Sequence, residues 1–250
     1  MTLHIKAPAA KTKTSKKPVY LAVKEDLIRR VLSGEWRPGE LVPSEIALAQ
    51  EYSVSVGTAR KAVEQLVQDK IVVRQRGRGT TIATNKGEGA SKPFRFLKFY
   101  AANGERTQET TYLECVRGSA SARDAEHLNI AVDTPVVRLM RLRTAGNQPG
   151  ILEHIVVRED ICPNAAERLA EHRPVSISSF LDRTYNILIV RVDEKIHAAL
   201  AGEEDIKHLA VSSGDPVLEV TRTAYDLAGR IVEYRTTHVT RNVYYANTTK

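Results

Sequence analysis

The sequence predicts an α+β protein with two domains, and three features of the chain lead to this fold class. Three short amphipathic helical patterns and a hairpin pattern follow one another over 20–83. A polar, glycine-rich stretch at 85–93 is typical of a domain linker. Long strand patterns with few intervening helices fill the remainder, which favours an antiparallel sheet with flanking helices.

Composition narrows the class of protein. The chain has 250 residues, of which 42% are apolar and 27% charged, and no apolar run approaches the ~18 residues of a spanning helix. We therefore expect no membrane partner. Cys115 and Cys162 lack CxxC or paired-histidine spacing, so we expect no disulfide framework, no metal and no cofactor. These features predict a reduced, cytoplasmic protein.

The positive charge is concentrated in the first third of the chain. The net charge is +7; residues 1–84 hold 15 Lys and Arg against 8 Asp and Glu, and the rest is neutral. Such a local excess is typical of phosphate-binding modules. Five of these lysines lie in 1–17, which is too poor in apolar residues to fold. We predict a disordered basic tail (1–17), a helical domain (18–84), a linker (85–93) and a sheet domain (94–250).

The helical domain has the pattern of a winged helix-turn-helix. Ser44 and Ser55 are placed to cap the second and third helices, and a glycine- and arginine-rich hairpin follows as the wing. In this fold the N-terminal end of the third helix enters the major groove. We expect double-stranded DNA to contact the following small, polar and basic residues: Ser44, Ser55, Gly57, Thr58, Arg60, Lys61, Arg76, Gly77 and Arg78.

Each part of this pattern has an ordinary alternative. Arg60 and Lys61 could form helix salt bridges with Glu64, and a charged hairpin tip is usually a solvated turn. Gly77-x-Gly79 is followed by a strand pattern rather than a helix, which disfavours a nucleotide loop. The agreement of caps, apolar stripes, wing and charge favours DNA binding.

Residues 20–83 resemble the winged-helix domain of the GntR family of bacterial transcription regulators, through the runs 34–45, 48–49, 54–62 and 74–80. The resemblance implies DNA contacts by Ser55, Thr58, Arg60, Arg76 and Gly77. Val56 departs from the family, which commonly has arginine there. An apolar side chain at this position could touch a thymine methyl group but cannot read guanine.

The sheet domain contains candidates for binding an anion. Arg141 and Arg143 lie two apart on a predicted strand and so share one face, where their guanidinium groups could bind phosphate or carboxylate. Ser178 and Ser179 begin a predicted helix, with Arg183 one turn later. A structural ion pair with Glu153 is the alternative for the arginines, and a structural role is the alternative for His238.

Residues 94–243 resemble the effector-binding domain of the HutC subfamily, called UTRA, which has a chorismate-lyase-like fold. The resemblance is carried by 137–143, Glu153, 179–181, Tyr185, 217–222, 225–226, Gly229 and Glu233. It implies a pocket for a small, usually anionic metabolite. The expected pocket residues are Arg141, Arg143, Glu153, Ser178, Ser179, Arg183, Tyr185, Glu233 and His238.

Together these features predict a ligand-responsive transcription regulator that acts as a homodimer in the cytoplasm at the nucleoid, and that a small anionic effector releases from its operator. We find no catalytic triad spacing and expect no catalytic residues, so an enzyme on a chorismate-lyase-like fold is disfavoured. A DNA-binding protein without an effector remains the other alternative.

Overall fold

The computed structural model describes residues 18–84, 98–102, 104, 109–146 and 148–246. The predicted tail (1–17) and linker (85–93) lie outside the described residues. Within the described ranges, no helix has the length and apolar character needed to cross a membrane.

The N-terminal domain is a winged helix-turn-helix, as predicted. It contains three helices and a two-stranded wing: α1 (Val19–Leu32), α2 (Glu45–Glu51), α3 (Val56–Gln68), β1 (Val72–Gln75) and β2 (Gly79–Ile82). Its core packs Leu27, Leu48 and Leu66 from the three helices against Ile82 of the wing. A bridge between Leu41 and Thr81 fixes the wing to the segment before α2.

The C-terminal domain is built on a six-stranded antiparallel sheet. Its strands are β4 (Thr110–Ser119), β5 (Pro135–Ala145), β6 (Gln148–Arg158), β7 (Ile189–Leu200), β8 (Pro216–Asp226) and β9 (Ile231–Val239). Their order across the sheet is β4-β5-β6-β9-β8-β7. A short sheet pairs β3 (Lys98–Ala101) with β10 (Val243–Ala246). These strands agree with the antiparallel sheet that the sequence predicts for this domain.

Helices cover both faces of the large sheet. They are α4 (Ala122–Leu128), α5 (Ala165–His172), α6 (Ile177–Tyr185) and α7 (Glu203–His208). Leu169 of α5 and Leu181 of α6 pack against Val137 and Ile155 on one face, which we call the inner face. On the opposite, outer face, Leu128 of α4 packs against Val136, and His127 stacks on Tyr234.

The two domains meet at the turn between β8 and β9. Leu227 in this turn and Val190 of β7 pack against the core of the winged helix. Cavities of about 590 Å³ and about 190 Å³ adjoin Leu227. Thr84, just after the wing, donates a hydrogen bond of 3.0 Å to Asp182 of α6. These contacts join the winged helix to β7, to α6 and to the turn between β8 and β9.

Candidate nucleic-acid interface and ligand pocket

The N-terminal end of α3 presents small polar groups to solvent. Ser55 Oγ accepts a hydrogen bond from the backbone N–H of Thr58 at 3.1 Å and lies 2.8 Å from its Oγ1. Gly57 is exposed, and a Cβ added there would lie 3.8 Å from Ser55 Oγ, an ordinary contact. Because no packing among the described residues requires a glycine here, its open surface suits the close approach of another molecule. Ser44 caps α2 by accepting from Ala47 N at 3.2 Å.

The two basic residues of α3 make different contacts. Arg60 donates from Nε to Glu45 Oε2 at 2.8 Å, rather than forming the predicted alternative pair with Glu64. Lys61 Nζ lies 4.3 Å from the centroid of the Tyr20 ring, so it packs toward α1. Arg60 is thus the cation placed toward the wing side of the helix.

The wing presents Arg76 and Arg78 as exposed side chains at the tip of its hairpin. Gly77 and Gly79 have φ of 77° and 89°, the left-handed region that glycine adopts without strain. Val56 begins α3 and is 39% exposed, so it lies on the same surface as an apolar group. The structure thus leaves Ser55, Gly57, Arg60, Arg76 and Arg78 exposed, whereas Lys61 packs toward Tyr20.

A band of charged side chains crosses the inner face of the large sheet. Glu153 on β6 accepts from Arg141 Nη2 at 2.6 Å and from Arg235 Nη1, also at 2.6 Å. Arg235 Nε donates to Glu233 at 2.9 Å. We call this set, with three neighbours on the same face, the charged band: Arg141, Arg143, Glu153, Glu194, Arg222, Glu233 and Arg235.

Arg141 has a structural role in this band. It is 1% exposed, and besides Glu153 it donates from Nη1 to the carbonyl oxygens of Pro174 and Val175 at 3.0 and 3.2 Å. It therefore ties the loop before α6 to the sheet. Although burial favours the neutral form of Glu153, Arg235 and Arg141 keep its pKa well below the usual range.

Arg143 differs from its neighbours because it keeps partial contact with solvent. Arg141, Arg222 and Arg235 are 1%, 6% and 8% exposed, whereas Arg143 is only half-buried. Burial still lowers the pKa of Arg143, and the charge of Glu153 opposes that shift. A guanidinium in this setting can receive an anion without full exposure to water.

Helix α6 borders the band. Ser178 is buried, and its Oγ lies 3.5 Å from Arg222 Nη2. Burial lowers the pKa of Arg222 to about 10. Ser179 lies in the same first turn, and Ser176 is the residue that caps the helix. Sequence reasoning missed Arg222, Arg235 and Glu194, although alternate charged positions on adjacent strands were an available signal.

Besides Ser178 and Ser179, three of the predicted pocket residues lie outside the band. Arg183 is exposed on α6, with Nε donating to Ser179 O. Tyr185 donates its hydroxyl to Pro163 O at 3.0 Å, at the far end of the helix. His238 lies on the outer face, because its neighbour Thr237 is the residue paired with Glu153. The structure thus corrects the expectation that these side chains share one site with Arg141.

His238 holds α7 against the sheet. Its Nδ1 lies 2.8 Å from Asp205 Oδ2, and its Nε2 lies 2.9 Å from Glu219 Oε2. Burial disfavours the charged imidazole, but the hydrogen bonds to Glu219 and Asp205 outweigh burial and raise the pKa of His238. The contacts therefore support the structural alternative for this residue.

Comparison with known proteins identifies both domains. The model of the bacterial regulatory proteins, gntR family, matches residues 19–82, and the UTRA domain model matches residues 104–244, more than half of the chain.

The chain belongs to the GntR family.

This GntR-family chain, with its UTRA domain, is a DNA-binding transcription regulator rather than an enzyme. It pairs an operator-binding winged helix with a domain for a small-molecule effector. The repressor NagR of Bacillus subtilis is 25% identical over 222 residues, covering 89% of this chain and 90% of that protein. The histidine utilization repressor of Klebsiella aerogenes is 26% identical over 222 residues, covering 87% and 88%.

Solved structures show the same fold. The ligand-binding domain of a GntR-family regulator from Bordetella bronchiseptica aligns with a TM-score of 0.57 at 25% identity, covering 63% of this chain and 99% of that chain. PhnF from Mycobacterium smegmatis aligns with a TM-score of 0.50 at 22% identity, covering 91% and 99%. These likenesses agree with the mixed helical and antiparallel architecture predicted from the sequence.

Glu153→Gln should destabilise this GntR-family protein strongly. Because Arg141 and Arg235 would keep their charges in a buried site, we expect the free energy of unfolding to fall by about 3–5 kcal/mol. Urea denaturation followed by circular dichroism measures this change. Glu167→Gln is the control, since its partner Arg117 and Glu167 itself are exposed; we expect a loss of at most about 1 kcal/mol there. Equal losses in the two variants would contradict the role given to Glu153.

His238→Gln should change how stability depends on pH. Because the folded state raises the pKa of His238, its contribution is fully present below the unfolded value, about 6.5, and is lost as pH rises through the folded pKa. Wild type should therefore lose more stability than His238→Gln as pH rises above that value. Urea denaturation at a series of pH values tests this. His172→Gln, at an exposed site on α5, serves as control. Parallel profiles for wild type and His238→Gln would disprove the ion-pair assignment.

Proposed function

We propose that this regulator is a homodimeric repressor, and that a small anionic metabolite bound beside the charged band releases it from its operator. The observation that carries the proposal is the composition of the band, in which four arginines face three glutamates. Relatives named as repressors, including the mannosyl-D-glycerate system repressor MngR of Escherichia coli, support the direction of regulation. We infer that the protein acts in the cytoplasm, at the nucleoid.

Arg143 and Ser178 are the residues we assign to the anion. Arg143 is the least buried of the band's arginines, and Ser178 places a hydroxyl in the first turn of α6. Backbone N–H groups in that turn favour a negative charge, with Ser179 alongside. Arg141, Glu153 and Glu233 would support the pocket by holding its wall, rather than by contacting the ligand first.

Two side chains of α6 connect the proposed pocket with the winged-helix domain. Ser178 lies beside Arg222 of the band, and Asp182, one turn later, accepts a hydrogen bond from Thr84 at the end of the wing domain. A ligand that shifts α6 would therefore change the contact between the domains. Coupling of this kind requires the ligand to bind one orientation of the domains better than the other.

A homodimer follows from how winged helices read operators. Two copies related by a twofold axis would place their α3 helices in major grooves about one helical turn apart. A change of domain orientation then alters the spacing of the two helices, and operator affinity falls. Sedimentation with and without operator duplex tests the dimer directly.

Arg60→Ala and Arg76→Ala should each weaken operator binding by about 1–3 kcal/mol, because each removes one guanidinium contact with DNA. Gel shifts with a duplex selected from a random pool measure the change. Arg183→Ala is the control: it removes an exposed arginine from the other domain, and we expect no effect. Equal, small losses in all three variants would indicate non-specific attraction instead.

Arg143→Ala should abolish the response to the effector while operator binding without effector is kept. The measurement is a thermal-shift screen of the full-length protein with sugar phosphates and organic carboxylates, followed by gel shifts with each compound that raises the melting temperature. Arg183→Ala again serves as control. If no compound that stabilises the protein changes its DNA affinity, the switch is disproved, and an effector-independent DNA-binding protein is favoured.

A further inference from the structure

One carboxylate in the winged helix joins three elements of the proposed DNA surface. Glu45 is the first residue of α2, directly after the cap Ser44. Its Oε2 accepts from Arg60 Nε of α3 at 2.8 Å, and its Oε1 accepts from Arg74 Nη2 of β1 at 2.7 Å. The helix that enters the groove and the wing strand are thus bridged by a single side chain.

The atoms used in this bridge leave the reading end of Arg60 available. Arg60 donates to Glu45 from Nε, whereas a guanine edge accepts hydrogen bonds from the two terminal Nη groups, which take no part in the bond to Glu45. The Arg60 side chain is 58% exposed and Glu45 25% exposed. A contact at Nε fixes the plane of the guanidinium, so its terminal fork projects in a defined direction.

We propose that Glu45 is a positioning residue for sequence readout, which aims Arg60 at a base edge while Arg74 fixes the carboxylate from the other side. This inference rests on the proposed DNA contact of Arg60. Val56, at the start of the same helix, is apolar and cannot donate to a base, so the orientation of Arg60 matters more for selectivity.

The same carboxylate has a second effect of opposite sign. A negative charge near the duplex repels phosphates, and phosphate attraction supplies most of the non-specific affinity. Through Arg60, Glu45 should therefore raise the affinity for the correct sequence. Through its negative charge, it should lower the affinity for every sequence. Substituting a residue with only a structural role would change the affinity for the correct sequence and the affinity for other sequences by the same factor.

The test compares two DNA probes with full-length protein. One probe is the duplex most enriched from a randomised pool by the wild type, and the other is a mixed-sequence duplex of equal length. For Glu45→Gln we expect binding to the selected duplex to fall about tenfold. Binding to the mixed duplex should equal or exceed that of wild type, with a steeper dependence on salt.

Two further variants separate geometry from charge. Glu45→Asp keeps the charge but is one methylene shorter, so it should lose selectivity without gaining non-specific affinity. Glu64→Gln removes the same charge from the exposed side of α3 and should keep the ratio of the two affinities. Thermal unfolding of each variant checks that the domain is folded. The positioning role is overturned if Glu45→Gln weakens both probes equally, or if its affinity ratio matches that of Glu64→Gln.

Arg60→Ala distinguishes this inference from the function on which it depends. If Arg60→Ala binds the selected duplex as wild type does, the proposed DNA contact itself is wrong. If Arg60→Ala loses selective binding and Glu45→Gln does not, the DNA contact stands and the positioning role is rejected.

Discussion

The effector domain depends on the placement of Glu153 between two arginines at the centre of its sheet. The carboxylate joins β5, β6 and β9 through Arg141 and Arg235, and it lies where apolar side chains surround the band on the inner face. Burying three charges is unfavourable unless each of them is fully hydrogen-bonded, because the free energy of desolvation otherwise exceeds their mutual attraction. The carbonyl oxygens of 174 and 175 complete the shell of Arg141, and so the loop before α6 is fixed by the same network.

That network also determines which part of the molecule can respond to a ligand. Since Arg141 and Arg235 are engaged by Glu153, we propose that a ligand interacts with the band through Arg143, which is only half-buried, and through the first turn of α6. Helix α6 also contacts the winged-helix domain, through Asp182 and Thr84, and two cavities adjoin Leu227 at the boundary between the domains. Interfaces of this kind permit relative domain motion more readily than a continuous core.

The sequence predicts a structural feature well where the feature depends only on residues close together in the chain. Caps such as Ser44 and Ser55 need only their own helix, and alternation predicts that Arg141 and Arg143 share a face. It fails where register between distant strands decides: His238 faces away from Glu153 because Thr237 is the paired residue, which no local pattern reveals. The bridge from Glu45 to two arginines was missed for the same reason, because its partners are 15 and 29 residues away.

Arginine side chains have different surroundings in the two domains of this regulator. In the charged band, Arg141, Arg222 and Arg235 are buried among glutamates, and Arg141 and Arg235 hold strands and a loop together. On the winged helix, Arg60 and Arg74 share Glu45 at a surface that water reaches, so the pairing costs little desolvation and contributes little stability. We therefore attribute to this contact the direction that it gives to the Arg60 side chain, which we propose is toward DNA.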